Sequence, residues 1–257
     1  MTTLLEAVFL GLVQGLAEWL PISSSGHLVI LQQMMGIKAS LFFDVMLHLG
    51  TLLAVLAFFW KDILKILKSI SKLDFRSESG RFIPHIIVGT IPVALFGYFL
   101  YDFFEMLFSS LYIVGLALLV TGSMLYLTKF KQGRRKVNLF ESVLIGIAQT
   151  FALIPGISRS GTTISAGLFR GLDRTEAFKF SFLLSIPAVL GANLFELTRV
   201  ATYGIDVAIV LGTAISAFIG YVSLKFLFKT LKKGKFYLFS FYCWVVGAIV
   251  LIFAVLF

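Results

Sequence analysis

Four polar side chains with the capacity for chemistry lie in one apolar stretch near the start of the chain, from Gly11 to Leu28. Gln14 and Glu18 are four residues apart, so a helix presents both on one face. Ser24 supplies a hydroxyl, and His27 an imidazole that titrates near neutral pH. Ionisable groups in such apolar sequence usually serve a function, because burying them is costly. The stretch therefore offers a nucleophile and acid–base groups.

A second stretch, from Pro155 to Thr163, offers the positive charge that the first one lacks. Its arginine, Arg159, can hold a phosphate group through two parallel hydrogen bonds. In each stretch a glycine follows closely spaced serines just before a predicted short helix. The unpaired backbone N–H groups at the start of that helix can bind an anion, and the glycine lets the backbone come close to it. Hydrolysis of a phosphate ester or anhydride needs a nucleophile, a base and positive charge for the developing oxyanions. Together the two stretches predict such a site.

The composition indicates a protein that crosses a membrane several times. Hydrophobic residues make up 59% of the chain and charged residues 14%, whereas about a quarter of a soluble domain is charged. The formal net charge of +9 does not indicate nucleic-acid binding, because the basic residues lie in short gaps between apolar segments. The single cysteine, Cys243, allows no intramolecular disulfide and argues against a metal–thiolate site.

Six apolar runs approach the roughly twenty residues that a helix needs to cross about 30 Å of hydrocarbon. These predicted spans are 41–60, 82–101, 109–128, 179–198, 207–228 and 236–257. Two further apolar stretches, 3–36 and 139–171, are interrupted by proline, glycine or serine, so each half is too short to cross. We predict that both are re-entrant helix–turn–helix elements, with protein or water around the turn. The fold class is an all-α polytopic membrane protein forming one domain, 1–257.

Basic residues are concentrated in three of the gaps between spans: 61–81, a linker at 129–138, and 225–235. The positive-inside rule places these gaps on the cytoplasmic side. Both termini are then external, and the first re-entrant stretch enters from outside and the second from inside. Within the first gap, alternating lysines and apolar residues over 61–76 predict an amphipathic helix on the membrane surface.

The two re-entrant stretches are copies related by an ungapped shift of 135 residues. Nine identical pairs align, among them Glu6/Glu141, Gly11/Gly146, Gln14/Gln149, Ser23/Ser158 and Gly26/Gly161. Three predicted spans separate the copies, and an odd number inverts the second copy. We predict an inverted-topology repeat with units 1–128 and 139–257, each one re-entrant element plus three spans. In such folds the broken elements meet near the midplane and form the polar site.

Two motifs resemble the signatures of the undecaprenyl-diphosphate phosphatase family, the bacitracin-resistance phosphatases: Q-x-x-x-E followed by P-x-S-S-S-G-H, and P-G-I-S-R-S-G-T-T. The resemblance covers essentially the whole chain. It implies an integral-membrane hydrolase that removes the terminal phosphate of undecaprenyl diphosphate and so recycles the carrier lipid for cell-wall peptidoglycan synthesis. It also implies a multi-pass protein of the cytoplasmic membrane whose active site opens to the external, periplasmic side.

The resemblance also assigns roles by motif position. The catalytic residues are then Glu18, Ser24, His27 and Arg159. The substrate-binding residues are Gln14, Ser25, Gly26, Ser158, Ser160, Gly161 and Thr163. Either Ser24 or His27 is the nucleophile, and the alternative role of His27 is the base that activates Ser24 or a water. We favour Ser24 as nucleophile because a broken elbow exposes a hydroxyl at a helix N-terminus.

Glu18 has three open roles: it is the base, it orients His27, or it ligates a divalent cation with Gln14. A diphosphate usually arrives with Mg²⁺ or Ca²⁺, which prefer oxygen ligands. Some family members carry glutamate where this chain has Gln14, and the amide weakens a metal site built on two carboxylates.

The alternative function is a polyprenyl-phosphate flippase or transporter, because inverted repeats with broken helices are also the architecture of alternating access. The expected partners are the polyprenyl diphosphate substrate, membrane lipids and, in a homodimer, a second copy of the chain, but no nucleic acid.

Two residue pairs outside the motifs carry weaker signals. Asp44 and His48, one helical turn apart, either line the site or hold helices together. Glu6 and Glu141 recur in both copies near the predicted membrane surface, so we expect them to cap or pair.

Overall fold

The structure, a computed structural model, describes residues 3–36, 40–131, 133–199 and 206–256. Its regular structure there is helical. The α-helices are α1 Leu4–Trp19, α2 Ser24–Met35, α3 Leu41–Phe58, α4 Trp60–Ser71, α5 Phe82–Phe99, α6 Tyr101–Leu107, α7 Leu111–Leu127, α8 Leu139–Phe151, α9 Arg159–Phe169, α10 Arg174–Arg199, α11 Val207–Lys232 and α12 Phe239–Leu256. Short 3₁₀ turns follow α7 and precede α12.

Among the described residues, six helical segments are long and apolar enough to cross a membrane. They are Leu41–Phe58, Phe82–Phe99, Leu111–Phe130, Arg174–Arg199, Val207–Lys232 and Phe236–Leu256. The predicted all-α polytopic fold is confirmed. The boundaries of the single domain, of its two repeat units and of the linker stay predictions.

Two of these helices extend further than the predicted spans, because their charged ends have partners. In α10, the Glu176 carboxylate lies 2.6 Å from Arg81 Nη2, and Arg174 Nη1 donates to the backbone oxygen of Lys232 at 3.5 Å. In α11, Lys232 Nζ lies 5.0 Å from the ring centroid of Phe228. Aromatic rings and counter-ions let a helix continue through charged residues that the sequence marks as lying beyond its end.

Both predicted re-entrant stretches are broken helices. The first breaks between α1 and α2, and the second between α8 and α9. At 1.5 Å per residue, α1 and α8 are about 24 and 20 Å long, short of the hydrocarbon thickness. Each returning helix is capped by the same device: Ser23 Oγ accepts from Gly26 N at 3.3 Å, and Ser158 Oγ from Gly161 N at 3.1 Å.

The two elbows touch each other. The Gly156 N–H of the second elbow donates to Ser23 Oγ of the first at 3.2 Å. A Cβ on Gly26 would lie 3.0 Å from Gly156 Cα, so the backbones meet with no room for a side chain. This contact brings Ser23 and Gly156, 133 positions apart in the chain, into one place. Their membrane depth and opposite insertion stay predictions.

Helices at corresponding positions in the two halves pack against corresponding helices of the other half. α1 packs on α11, the second full span of the other half, and α8 packs on α5, the second full span of the first half. The third spans, α7 and α12, pack on each other. Glycines allow both crossings: Gly11 faces Gly212, and its repeat counterpart Gly146 faces Gly89. The two predicted repeat units thus contact each other through corresponding helices.

The charged residues expected to be structural have structural contacts. Glu6 forms a capping box with Thr3 at the start of α1. Glu141 is fully buried, and its Oε1 pairs with Arg135 at 3.0 Å and Arg170 at 3.4 Å. The predicted surface helix is α4, on which Trp60 and its apolar neighbours are exposed.

We predict that Gly11→Ala destabilises the protein by about 1–3 kcal/mol, the usual cost of overpacking a filled interface. The added Cβ would lie 2.6 Å from the Gly212 carbonyl oxygen, so α1 and α11 must separate. The measurement is the thermal unfolding temperature in detergent. Gly191→Ala in α10 is the matched control, because its Cβ would meet no atom within 4 Å. Equal unfolding temperatures for the two variants would contradict the prediction.

Candidate active site

Glu18 is the carboxylate around which the site is arranged. It lies in the last turn of α1 and is 7% exposed, and Gln14, one turn earlier, is fully buried. The Gln14 amide donates through Nε2 to Glu18 Oε2 at 3.1 Å. The i, i+4 spacing thus has the predicted effect of placing both groups on one face. Gln14 Oε1 has no hydrogen-bond partner among the described residues, which leaves an acceptor in the site.

Ser24 contacts the same carboxylate from the start of α2. Its hydroxyl donates a hydrogen bond to Glu18 Oε2. The turn that permits this contact contains Ser23 in a left-handed conformation, with φ at +68°. A non-glycine residue there is strained, and such strain is common at functional sites. The hydroxyl that sequence analysis favours as nucleophile is therefore adjacent to a base.

Arg159 arrives from the second elbow, at the first residue of α9. Its Nη2 forms an ion pair with Glu18 Oε1. The two side chains are 18% and 5% exposed, so the pair is nearly enclosed. The guanidinium carbon also lies 5.3 Å from the centroid of the Trp19 ring, a cation–π distance. The predicted convergence of Glu18, Ser24 and Arg159 is thus present in the structure.

His48 is a further member of this group that sequence analysis did not place among the site residues. Its Nε2 lies 3.7 Å from Glu18 Oε2, and its Nδ1 is 2.9 Å from the backbone oxygen of Asp44. The side chain is 30% exposed, more than Glu18 or Arg159. The Asp44 carboxylate instead accepts from the Gln32 amide. Of the two open readings, His48 lines the site, while Asp44 braces α2 against α3.

His27 points elsewhere. Its Nδ1 lies 2.7 Å from the Ser23 backbone oxygen, and its Nε2 lies 2.7 Å from the hydroxyl of Tyr242 on α12. Among the described contacts, neither ring nitrogen reaches Glu18, Ser24 or Arg159. We expect Glu18, Ser24, His27 and Arg159 to converge on one site. In the structure all of these except His27 do so. Because His27 follows Ser24 by three residues on α2, the two side chains point about 60° apart around the helix axis. The sequence gives this angle, but it does not show which residue His27 contacts.

The small polar residues of both elbows make internal hydrogen bonds. Ser158 Oγ, besides capping α9, lies 3.3 Å from Ser160 Oγ, and in the first elbow Ser25 Oγ lies 3.2 Å from Ser23 Oγ. Thr163 Oγ1 donates to the Arg159 backbone oxygen at 2.9 Å. These bonds shape the turns around the glycines Gly26 and Gly161. Phosphate binding by these residues stays a prediction.

Thr121 on α7 is a supporting residue that no sequence motif marks. Its hydroxyl accepts from Ser158 N at 3.2 Å and donates to the Gly156 oxygen at 3.0 Å. It therefore ties both sides of the second elbow to a full span. Threonines that pack helices in membranes have no distinctive sequence signal.

The groups around Glu18 offer few protein oxygens to a divalent cation, and the predicted cation stays a prediction. Glu18 Oε1 is held by a guanidinium, and Oε2 accepts from an amide and a hydroxyl. Mg²⁺ and Ca²⁺ take at least six oxygen ligands, and the described residues contain no group of three His, Cys, Asp or Glu side chains placed to share a metal. Beside the carboxylate, Gln14 Oε1 is an oxygen that accepts no hydrogen bond from the part of the chain that the structure describes.

The fold and site define a class: a polytopic membrane protein with a carboxylate, a hydroxyl and an arginine brought together by two broken helices. The model of the family described as bacitracin resistance protein BacA matches residues 7–249. The chain belongs to this family.

Curated relatives match over nearly their whole length. A protein of Caldicellulosiruptor bescii is 45% identical over 267 residues, covering 100% of this chain and 99% of its own. Proteins of Halothermothrix orenii and Korarchaeum cryptofilum are 42% and 44% identical, covering 98% and 96% of this chain and 98% and 97% of their own lengths. All three are named undecaprenyl-diphosphatase.

We predict that Glu18→Gln and Arg159→Gln each lower the free energy of unfolding by about 3 kcal/mol, because each leaves a nearly buried charge without its partner. The double variant should lose at least about 1 kcal/mol less than the sum, since the two groups interact directly. Denaturant or thermal unfolding in detergent measures all three.

The Lys179–Asp62 pair is the matched control for this cycle. Its side chains are 25% and 32% exposed, and exposed pairs usually contribute less than about 1 kcal/mol. Additive losses for Glu18 and Arg159, equal to those of the control pair, would contradict a buried coupled pair.

Proposed function

We propose that this protein hydrolyses undecaprenyl diphosphate to undecaprenyl phosphate and inorganic phosphate, which returns the carrier lipid to cell-wall synthesis. The observation that carries the proposal is the single carboxylate, Glu18, in contact with Ser24 on one oxygen and Arg159 on the other. The names of the relatives support the choice of substrate. A membrane-embedded site also suits a substrate whose prenyl chain lies in the bilayer.

In the first step, the Ser24 hydroxyl attacks the terminal phosphorus. Glu18 Oε2 takes the hydroxyl proton, the Oγ–P bond forms, and the bond from phosphorus to the bridging oxygen breaks. Undecaprenyl phosphate leaves with the electron pair of that bond. Arg159 balances the negative charge of the phosphoryl oxygens, as positive groups do in phosphoryl transfer.

In the second step, water attacks the phosphoserine. The carboxylate, having passed its first proton to solvent or to the leaving group, takes a proton from this water. The water oxygen bonds to phosphorus, the P–Oγ bond breaks, and Glu18 passes the proton that it took from water to Ser24 Oγ as inorganic phosphate leaves. The geometry supports Ser24 over His27 as nucleophile, because only the serine is adjacent to Glu18.

The ion pair has to open when substrate binds, since a phosphate on Arg159 competes with Glu18 Oε1. Gln14 Nε2 and His48 Nε2 both lie on the Oε2 side of the carboxylate. They keep Glu18 in place beside Ser24 while the arginine turns to the substrate. A divalent cation, Mg²⁺ or Ca²⁺, enters this proposal as part of the substrate complex, with Gln14 Oε1 as an available protein oxygen.

The flippase alternative also has an observation in its favour. The exchange of equivalent helix partners between the two halves, with α7 on α12, is the arrangement on which rocking-bundle transporters depend. A flippase without hydrolytic activity, however, has no need for a serine hydroxyl on a buried carboxylate. Phosphate release distinguishes the two functions.

The location that we propose is the cytoplasmic membrane, with the site open to the external side. The support is the charge of the loops: α4 and the residues around 129–138 and 225–235 carry the basic side chains. The predicted homodimer stays a prediction, and the site does not depend on it, because one chain supplies both elbows.

We predict that the purified protein releases phosphate from undecaprenyl diphosphate in detergent. Ser24→Ala, Glu18→Ala and Arg159→Ala should each lower kcat at least about 100-fold, because each removes nucleophile, base or charge stabilisation. A radiolabelled terminal phosphate should be trapped on Ser24 at low pH and short times.

The control for this assay is Ser71→Ala, which removes a surface hydroxyl of α4 and should leave kcat unchanged. Repeating the assay with a chelator tests the cation. If Mg²⁺ or Ca²⁺ enters with the diphosphate, adding back either ion should restore activity in proportion to the concentration of the ion–diphosphate complex. Label trapped on His27, or full activity of Ser24→Ala, would overturn the assignment of the nucleophile.

We also predict which loops face outward. In a Cys243→Ser background, a cysteine at Ser109 should react with a membrane-impermeant maleimide in intact cells. A cysteine at Lys131 should react only after permeabilisation. Both positions are exposed, whereas Cys243 is buried. The reverse labelling pattern would place the site on the cytoplasmic side.

A further inference from the structure

His27 is held at both ring nitrogens. The backbone oxygen of Ser23 can only accept, so the Nδ1 that lies 2.7 Å from it carries the proton. In the neutral ring Nε2 is then an acceptor, and the Tyr242 hydroxyl donates to it at 2.7 Å. The two rings also stack, with centroids 5.6 Å apart and planes 14° apart. The tautomer and the orientation of His27 are therefore both defined by its neighbours.

The residue that His27 holds is the junction of the two elbows. Ser23 Oγ accepts the N–H groups of Gly26 in its own elbow and Gly156 in the other. Its carbonyl accepts from the His27 ring as well as from the His27 backbone N–H. Ser23 also has a left-handed φ that a serine rarely adopts. Its neighbour in sequence is Ser24, so any change in Ser23 moves the nucleophile.

We propose that Tyr242 is a positioning residue for the phosphatase reaction and that it acts through His27. Tyr242 fixes the imidazole, the Nδ1–H of the imidazole holds the Ser23 carbonyl, and Ser23 in turn keeps the Ser24 hydroxyl on Glu18. The inference rests on the proposed function and adds a residue from α12, outside both sequence motifs. In this arrangement the contribution of His27 lies in its Nδ1–H, since Tyr242 occupies Nε2.

Two substitutions of His27 separate this role from a catalytic one. In His27→Asn, the amide nitrogen can take the position of Nδ1 and donate to the Ser23 oxygen, but no base remains. In His27→Gln, the amide reaches the level of Nε2, and the donor beside Ser23 is lost. A positioning role predicts that His27→Asn keeps kcat within about tenfold of the wild type, whereas His27→Gln loses at least about 100-fold.

Tyr242→Phe tests the hydroxyl while it keeps the stacked ring. We expect kcat to fall about tenfold with KM within about twofold, and the unfolding temperature to stay within a few degrees. In a His27→Asn background the same substitution should have no further effect, because the acceptor for the hydroxyl is gone. Tyr98→Phe on α5 is the matched control and should leave kcat unchanged.

The assay is release of phosphate from undecaprenyl diphosphate by the full-length protein in detergent. Two outcomes with an active wild type would overturn the positioning role and leave the proposed function standing. In the first, His27→Asn is as inactive as His27→Ala. In the second, Tyr242→Phe keeps full kcat. A wild type that releases no phosphate would overturn both. Equal kcat losses from Tyr242→Phe in the wild-type and His27→Asn backgrounds would also overturn it, because Tyr242 would then not act through His27.

Discussion

The arrangement of this protein depends on one buried ion pair, between Glu18 and Arg159. A carboxylate in a largely apolar interior is costly unless a positive charge and hydrogen-bond donors surround it. The donors Gln14 and Ser24 come from the same elbow, but the positive charge comes from a helix that begins more than a hundred residues later. Folding therefore has to bring the two elbows together before the buried Glu18 carboxylate has its positively charged partner.

Close backbone contact makes that approach possible. Gly26 and Gly156 leave no space for side chains between the elbows, and Gly11 and Gly146 let α1 and α8 lie directly on their partner helices. In lipid, where no hydrophobic force drives helices together, such contacts and interhelical hydrogen bonds supply the packing energy. The hydroxyls of Ser23 and Thr121 add bonds to the turn at Gly156. The same residues that pack the fold thus set the distance between Glu18 and Arg159.

The two elbows have diverged in chemistry while keeping a common frame. Both returning helices are capped by a serine three residues before a glycine. At the first helical position, however, one copy carries Ser24 and the other Arg159, so a hydroxyl in one copy corresponds to a cation in the other. The α12 helix contacts the first elbow through Tyr242. A nearly symmetric scaffold in this way supports an asymmetric site.

Much of this could be predicted from the sequence, because its signals are local. Hydropathy marks the six spans, interruptions at proline, glycine and serine mark the broken helices, and a constant shift relates the two copies. The i, i+4 spacing of Gln14 and Glu18 and the arginine at a helix start pointed to the chemistry of the site. What the sequence could not decide was orientation within the packed bundle. His27 turns to Tyr242, and His48 turns to Glu18, because crossing helices, and not positions along the chain, determine which ring nitrogen finds which partner. Local periodicity determined the elements and the candidate residues, whereas only the tertiary packing decided which of them meet.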